Sequence, residues 1–450
     1  MATPQLDKKD FYNRVIMLSL PIAFQSLMLA SVAAADALML GRVAQAEMTA
    51  VSLATQIQFI QNMLLTGSTA AGMILGAQYF GKNDKLALRK ILNIMLLFCG
   101  GISIVFFLLC EMIPELLMMI FTGDSVLIEI GSGYLRIAGI SYLLTGISQS
   151  YLAIMKVTDH VKAVAGISTT AVVSNIILNA MFIFGFSGIP AMGACGAAIA
   201  TAVSRAAELI LCIGFSMRAG STRPEMKNLF TPGKLLTQDF LKQCIPLIGG
   251  GMLWGIGFTA YTAIIGHMGS DAAASNSVAA VIRDLICCAC NGIGGAASII
   301  VGNALGAGKI EEGKQYGIWL KNLSWVIGLI SMGIVLAITP IIVRVIILTP
   351  EAQQYLTGMM VIMAVYMIGR CVNTVTINGV LDGGGDTIFD MYSLIVSMWI
   401  VAIPIAFLGA FKFQWPVLVV YACTCIDEVG KIPWVMHRFR KYKWLNNLTR

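Results

Sequence analysis

The chain has 450 residues, of which 58% are hydrophobic and only 12% charged. Soluble domains carry charge on roughly a quarter of their residues, so this composition excludes a soluble enzyme, a disordered chain and a disulfide-stapled secreted protein. The formal charge of +7 does not indicate a nucleic-acid binder, because the basic residues lie between apolar runs and form no single patch.

About 20 apolar residues cross a bilayer as a helix. The first apolar run, 13–40, is too long for a cleavable signal and lacks an Ala-x-Ala-like site at its end, so it is expected to stay as a membrane helix. Further runs follow at 48–79, 90–113, 126–155, 161–185 and 191–217. A polar stretch, Arg218 to Lys242, holds Arg223, Pro224, Lys227, Pro232 and Lys234. Six more runs lie at 244–268, 274–305, 316–343, 352–381, 388–411 and 415–436, twelve in all. Barrel strands need only about 9–11 alternating residues, and in hydrocarbon a helix satisfies its own backbone polar groups. The expected fold is therefore an all-α integral membrane protein with twelve transmembrane helices.

Lys and Arg in the connections set orientation. With the amino terminus inside, the cytoplasmic side carries most of them, from Lys8, Lys9 and Arg14 to Arg438, Arg440, Lys441, Lys443 and Arg450, whereas the outside holds Arg42, Arg344 and Lys412. Both termini are thus expected in the cytoplasm. The eleven cysteines fall mostly inside apolar runs, where free cysteine behaves as a small hydrophobe, and no disulfide framework is expected.

A shift of 225 residues aligns the first two runs of each half without a gap: Pro21 with Pro246, Gly41 with Gly266, Gly67 with Gly292, Ala71 with Ala296 and Gly81 with Gly306. Each half holds six helices, an even number, so the halves share one orientation. Parallel repeats of this kind build a transport cavity at the membrane midplane. The division expected is an amino-terminal six-helix lobe, 1–217, a cytoplasmic linker, 218–243, and a carboxyl-terminal lobe, 244–450.

Charges inside apolar runs cost at least a few kcal/mol, so they are the informative ones. Asp36 lies in Ala-Ala-Ala-Asp36-Ala-Leu-Met-Leu-Gly41 with no second acid in reach along its helix. A carboxylate that has lost hydration can exchange a proton or hold Na+ with hard oxygen ligands; the alternative is that it snorkels to the outer interface. The repeat places Tyr261 opposite Asp36, so the second half has no equivalent acid. Asn175 and Asn179 share one helix face, one turn apart, and Thr201 follows on the next run. Their oxygens fit a cation cage or a hydrogen-bond shell, or they serve as helix–helix glue.

Arg205 and Glu208, three residues apart, are expected to form an ion pair, and Glu428 with Lys431 a structural one. Arg283 and Asp284 are adjacent and are expected to find partners elsewhere; with Arg370, Trp254 and Tyr261 they are weaker candidates for a substrate cavity. Enzyme signals fail. His160, His267 and His437 are scattered, Cys287-Cys288-Ala289-Cys290 has no companion cluster, and Gly383-Gly384-Gly385-Asp386 lacks the Lys of a phosphate loop.

The chain resembles the multidrug and toxic compound extrusion (MATE) transporters along its full length. The matching stretches are Leu20-Pro21 with Asp36-Ala-Leu-Met-Leu-Gly41-Arg42, and Gly76-Ala-Gln-Tyr-Phe-Gly81-Lys-Asn-Asp84. Others are Asn175-Ile-Ile-Leu-Asn179, Pro190-Ala-Met-Gly193 through Thr201, and Gly379 through Thr387. The resemblance implies two six-helix lobes in a V, exporting cationic or amphipathic compounds against H+ or Na+. It places Asp36, Asn175 and Thr201 at the amino-lobe cation site. Three positions depart from the family pattern. Asn179 stands where some members have an acid, Gly251 where many carry a Glu, and Asp382 where a basic residue usually precedes Gly-Gly-Asp.

The expectation is a cation-coupled antiporter, with H+ favoured over Na+, exporting small organic molecules by alternating access. Asp36, Asn175, Asn179 and Thr201 carry the coupling, with no cofactor, no catalytic residue and no metal beyond Na+ at Asp36, Asn175 and Thr201. Partners would be small-molecule substrates and membrane lipid, without nucleic acid, and the protein a monomer of the cell (plasma) membrane. The alternative is a flippase for lipid-linked oligosaccharides, for whose pyrophosphate Arg283 and Arg370 are few.

Overall fold

The computed structural model describes residues 7–450 apart from 187, 189, 219–220, 226–228, 231–232 and 347, and apart from the side chains of Ala33, Ala34, Ala37 and Leu38. Lys227 and Pro232 of the polar stretch therefore lie outside the described residues. The described residues form helices and no strand. In chain order they are α1 (Lys8–Gly41), α2 (Gln45–Gly81), α3 (Lys85–Met112), α4 (Ser125–Val157), α5 (Val161–Phe184) and α6 (Gly193–Ser216). Then follow α7 (Lys234–Gly266), α8 (Ser270–Gly306), α9 (Ile310–Val345), α10 (Pro350–Leu381) and α11 (Thr387–Lys412). The last, α12, comes in three pieces, Val417–Thr424, Ile426–Val429 and Ile432–Arg440. A short helix, Pro114–Met119, joins α3 to α4.

Among the described residues all twelve expected spans are present, and ten are long and apolar enough to cross a bilayer by length and composition alone. The other two are α2, which carries polar residues along one face, and the interrupted α12. Helix α7 begins at Lys234, inside the stretch read as linker. Local chemistry fixes several starts. Asp84 accepts from the amide of Ala87 at 2.9 Å to cap α3, Asp124 accepts from Val126 at 2.9 Å to cap α4, and Thr349 accepts from Ala352 at 3.1 Å with Pro350 opening α10.

Two compact units are present. One comprises Phe24–Gly76 and Asp84–Cys244; it is called the amino unit below. Its core gathers Leu40, Val51, Ile57, Leu135, Tyr142 and Ala198. The other, the carboxyl unit, comprises Ile245–Arg450 with Ala77–Asn83 and the residues up to Ala23. Its core is rich in methionine: Met359, Met360, Met363 and Met367 are all fully buried, and their flexible thioethers fill irregular gaps.

Within the carboxyl unit the repeat becomes geometry. The ends of α2 and α8 touch at related positions. A Cβ on Gly81 would lie 2.0 Å from the Asn303 carbonyl oxygen, and one on Gly306 only 1.8 Å from that of Gln78. Gln78 and Asn303 are themselves 225 apart, as are Asn83 and Gly308, which follow the two helices with φ of 63° and 75°. Glycine and asparagine are the residues that tolerate that backbone.

The expected absence of a disulfide does not hold. Cys290 on α8 and Cys371 on α10 are bridged, with Cα atoms 5.3 Å apart, while the other nine cysteines are free. The two sit 81 residues apart. Their meeting depends on helix packing that no local spacing encodes.

Candidate functional site

A cavity of about 860 Å³ opens within the amino unit, lined from α1, α2, α4 and α6. Asp36 lies on its wall. Asn179 Nδ2 donates to Asp36 Oδ1 at 2.5 Å and to Asn175 Oδ1 at 3.1 Å. Asn175 Nδ2 in turn donates to Thr201 Oγ1 at 3.3 Å and to Ser204 Oγ at 3.4 Å. Thr201 Oγ1 donates to the Ala197 carbonyl at 2.9 Å. The i, i+4 spacing of the two asparagines on α5 lets one chain of hydrogen bonds run from the α1 carboxylate to the α6 hydroxyls.

The four residues singled out in sequence are thus brought together. Both asparagines are buried, and Asn179 Oδ1 has no hydrogen-bond partner among the described residues. Sequence reading missed Ser204, although it sits three residues after Thr201 and so on the same face. It also missed Tyr134, a buried residue on the cavity wall. Toward the other end of α6, Arg205 pairs with Glu208 at 2.8 Å as expected, and Ser148 donates to the same carboxylate at 2.8 Å.

The weaker candidates all lie in the carboxyl unit and do not form one site. Tyr261 and Arg283 line a void of about 50 Å³ with Phe258, Tyr366 and Tyr421. Contrary to expectation, Arg283 reaches its own neighbour: Nε lies 3.0 Å and a terminal nitrogen 2.9 Å from Asp284 Oδ1. The long guanidinium stem bends back along the helix, which a count of backbone positions does not anticipate, and its plane also covers Phe258 at 4.5 Å. Arg370 sits 5.7 Å from the Trp254 ring and pairs with Glu428 at 2.9 Å.

Glu428 is the hub of this part of the unit. Lys431 approaches it at 3.0 Å, and Asn373 donates to both its carboxylate and its carbonyl at 2.7 Å. Asp382 is buried, and its Oδ1 lacks a partner among the described residues; Asp386, four residues on, takes two bonds of 2.7 Å from Arg438.

The model of the MatE family matches residues 21–181 and 246–408, two segments that begin 225 residues apart. The chain belongs to the MATE family. Its curated relatives include the probable multidrug resistance protein NorM of Pasteurella multocida, 26% identical over 88% of this chain and 85% of that one. The uncharacterized transporter YisQ of Bacillus subtilis is 22% identical, covering 95% and 94%. In fold the chain is similar to a Vibrio cholerae MATE transporter, at a TM-score of 0.86 and 15% identity, covering 97% and 99% of the two chains. MATE proteins are multi-pass membrane transporters rather than enzymes, and this chain is an efflux-type transporter for small molecules.

Proposed function

We propose that this MATE transporter is a cation-coupled antiporter of the cell membrane, working as a monomer with both termini in the cytoplasm, and that Asp36 binds the coupling ion. The observation that carries this reading is the 2.5 Å contact between Asp36 and Asn179 on the wall of the large cavity. A carboxylate there can load and unload from the same space a substrate occupies. Its protonation would withdraw one acceptor from the Asp36–Asn179–Asn175–Thr201 chain, which links α1 to α5 and α6. That gives the ion a mechanical hold on helix position.

H+ fits better than Na+. The amide nitrogen of Asn179, not its oxygen, faces the carboxylate, and Asn175 Oδ1 is already occupied by Asn179. A sodium cage needs several oxygens converging at about 2.3–2.6 Å, as for other hard cations. Exported compounds would be small organic molecules, the family resemblance pointing to cationic or amphipathic ones.

The test is dissipation of an imposed pH gradient in everted vesicles when a panel of cationic, neutral and amphipathic compounds is added, without Na+ and then with it. Wild type should dissipate the gradient with some of the panel, and Asp36→Asn, at equal expression, with none. Unchanged exchange in Asp36→Asn would refute the assignment, and exchange only with Na+ would replace the proton.

A further inference from the structure

The wall that faces Asp36 is unusual for a membrane helix. Ser52, Thr55, Gln58, Asn62, Thr66 and Thr69 all line the cavity from α2. Their spacing of three or four residues makes one stripe, which at 1.5 Å per residue runs for about 26 Å. Polar residues in membrane helices often glue neighbours together. Here Ser52, Asn62 and Thr66 are exposed rather than packed between helices. Thr55 and Thr69 donate to carbonyls of their own helix at 2.9 Å, which uses their one donor and leaves each oxygen able to accept. The amides of Gln58 and Asn62 make no hydrogen bond among the described residues. An amide without a partner is expensive in an apolar surrounding, so these groups are placed for water or a ligand.

What the wall lacks is equally informative. Among its described lining residues Tyr134 is the one aromatic and Asp36 the one acid, while the one base, Arg205, already holds Glu208. Capture of a lipophilic cation relies on aromatic faces and spare carboxylates. This cavity offers neither once Asp36 is assigned to the coupling ion. Alongside apolar lining residues that include Leu29, Val32, Leu40, Met48 and Leu65, its wall presents hydroxyl and amide groups in both donor and acceptor roles, at a volume suited to a molecule of a few sugar or peptide units.

We propose that the amino-unit cavity takes neutral, hydrogen-bonding solutes bearing several hydroxyl or amide groups, read out by the α2 stripe, in preference to lipophilic cations. The inference rests on the coupled-export reading and replaces, for this chain, the cationic substrate class to which the family resemblance points.

The experiment uses the full-length protein in everted vesicles under an imposed pH gradient. Radiolabelled uridine, N-acetylglucosamine, maltose and a blocked dipeptide amide serve as neutral probes, with tetraphenylphosphonium as the lipophilic cation. At least one neutral probe should accumulate in an Asp36-dependent way. Gln58→Leu and Asn62→Leu should each lower that accumulation about tenfold, the effect of leaving a ligand polar group unpaired. Asn62→Gln, which keeps the amide, should retain most of it and shows that loss in Asn62→Leu is not misfolding. Asp36-dependent movement of tetraphenylphosphonium with no neutral probe moved would overturn the inference while leaving coupled export standing. So would neutral transport undiminished in both leucine variants. Gradient-driven movement of no probe at all, with protein present, would overturn coupled export and this inference together.

Discussion

At the scale of single residues, two buried constellations do different work. Asp36 has a neutral surrounding, so a change of its charge is not matched by any ion pair among the described residues. Asn179→Leu would strip its donor and also free Asn175 Oδ1. Exchange should fall about tenfold or more, since one buried acceptor loses its partner, with protein level as the control. Thr201→Val is the finer probe. Its hydroxyl stands three hydrogen bonds from the carboxylate, so proton exchange should survive within a few-fold, whereas a sodium site using that oxygen would be lost; coupling in the variant measured with and without Na+ decides between them. Glu428 differs, being held by Arg370, Lys431 and Asn373. Glu428→Gln removes the carboxylate that Arg370 and Lys431 pair with directly and should cost about 3–5 kcal/mol. That loss would be read as a fall in the melting temperature of the detergent-purified protein, and an unshifted melting curve would show the cluster to be dispensable.

The elements meet through small residues, and their positions explain why composition alone locates the helices but not their contacts. Gly81 and Gly306 let the ends of α2 and α8 approach backbone to backbone, so that a methyl group on either falls at 2.0 Å or less from a carbonyl oxygen. Rigid backbone cannot yield as a side-chain tip can. Gly81→Ala and Gly306→Ala should each destabilise by about 1–3 kcal/mol, the usual cost of overpacking. Gly166→Ala on α5 and Gly214→Ala on α6 are the controls. A Cβ there meets nothing within 4 Å, and removing backbone freedom should leave stability unchanged or raise it by up to about 1 kcal/mol. Thermal melts of the four variants would separate the pairs; equal behaviour would mean the α2–α8 contact is loose in the membrane. The 225-residue repeat was legible in sequence because Gly and Pro recur at fixed offsets. That the recurring glycines pack against each other was not, since identity at two positions does not say that they touch.

At the scale of the whole molecule, twelve spans, the repeat and the Asp36–Asn175–Asn179–Thr201 group were all legible, each written in local pattern: apolar length, offset, or one-turn spacing. What local pattern does not carry is long-range assembly. The Cys290–Cys371 bridge, the Arg370–Glu428 pair and the docking of the last residues all join distant segments. The last of these is built like a fastening. Trp444 is fully buried, stacked on Phe439 at 5.5 Å, and a Cβ on Gly317 would stand 2.5 Å from its ring. Beyond it, the side chain of Gln78 donates to the Asn446 carbonyl at 3.2 Å and accepts from the Leu448 amide at 2.6 Å, while Lys82 reaches the carbonyl of Arg450. Asn446 Nδ2 also bonds the Gly384 carbonyl at 3.3 Å. The tail therefore ties the end of α2 to the turn before α11 inside one unit. Removing residues 446–450 should lower thermal stability by about 1–3 kcal/mol, from the four hydrogen bonds lost and the Gln78 side-chain oxygen left without its Leu448 donor. Trp444→Ala should cost more, about 3–5 kcal/mol, through the cavity it leaves. Gln78→Leu combined with the truncation gives the decisive cycle. If Gln78 acts through the tail, the two losses should not add, because each already removes the same contacts. Additive losses in the melting temperatures would instead mean that Gln78 stabilises α2 through its other bond, to the Gly383 carbonyl at 3.1 Å, and that the tail is a separate brace.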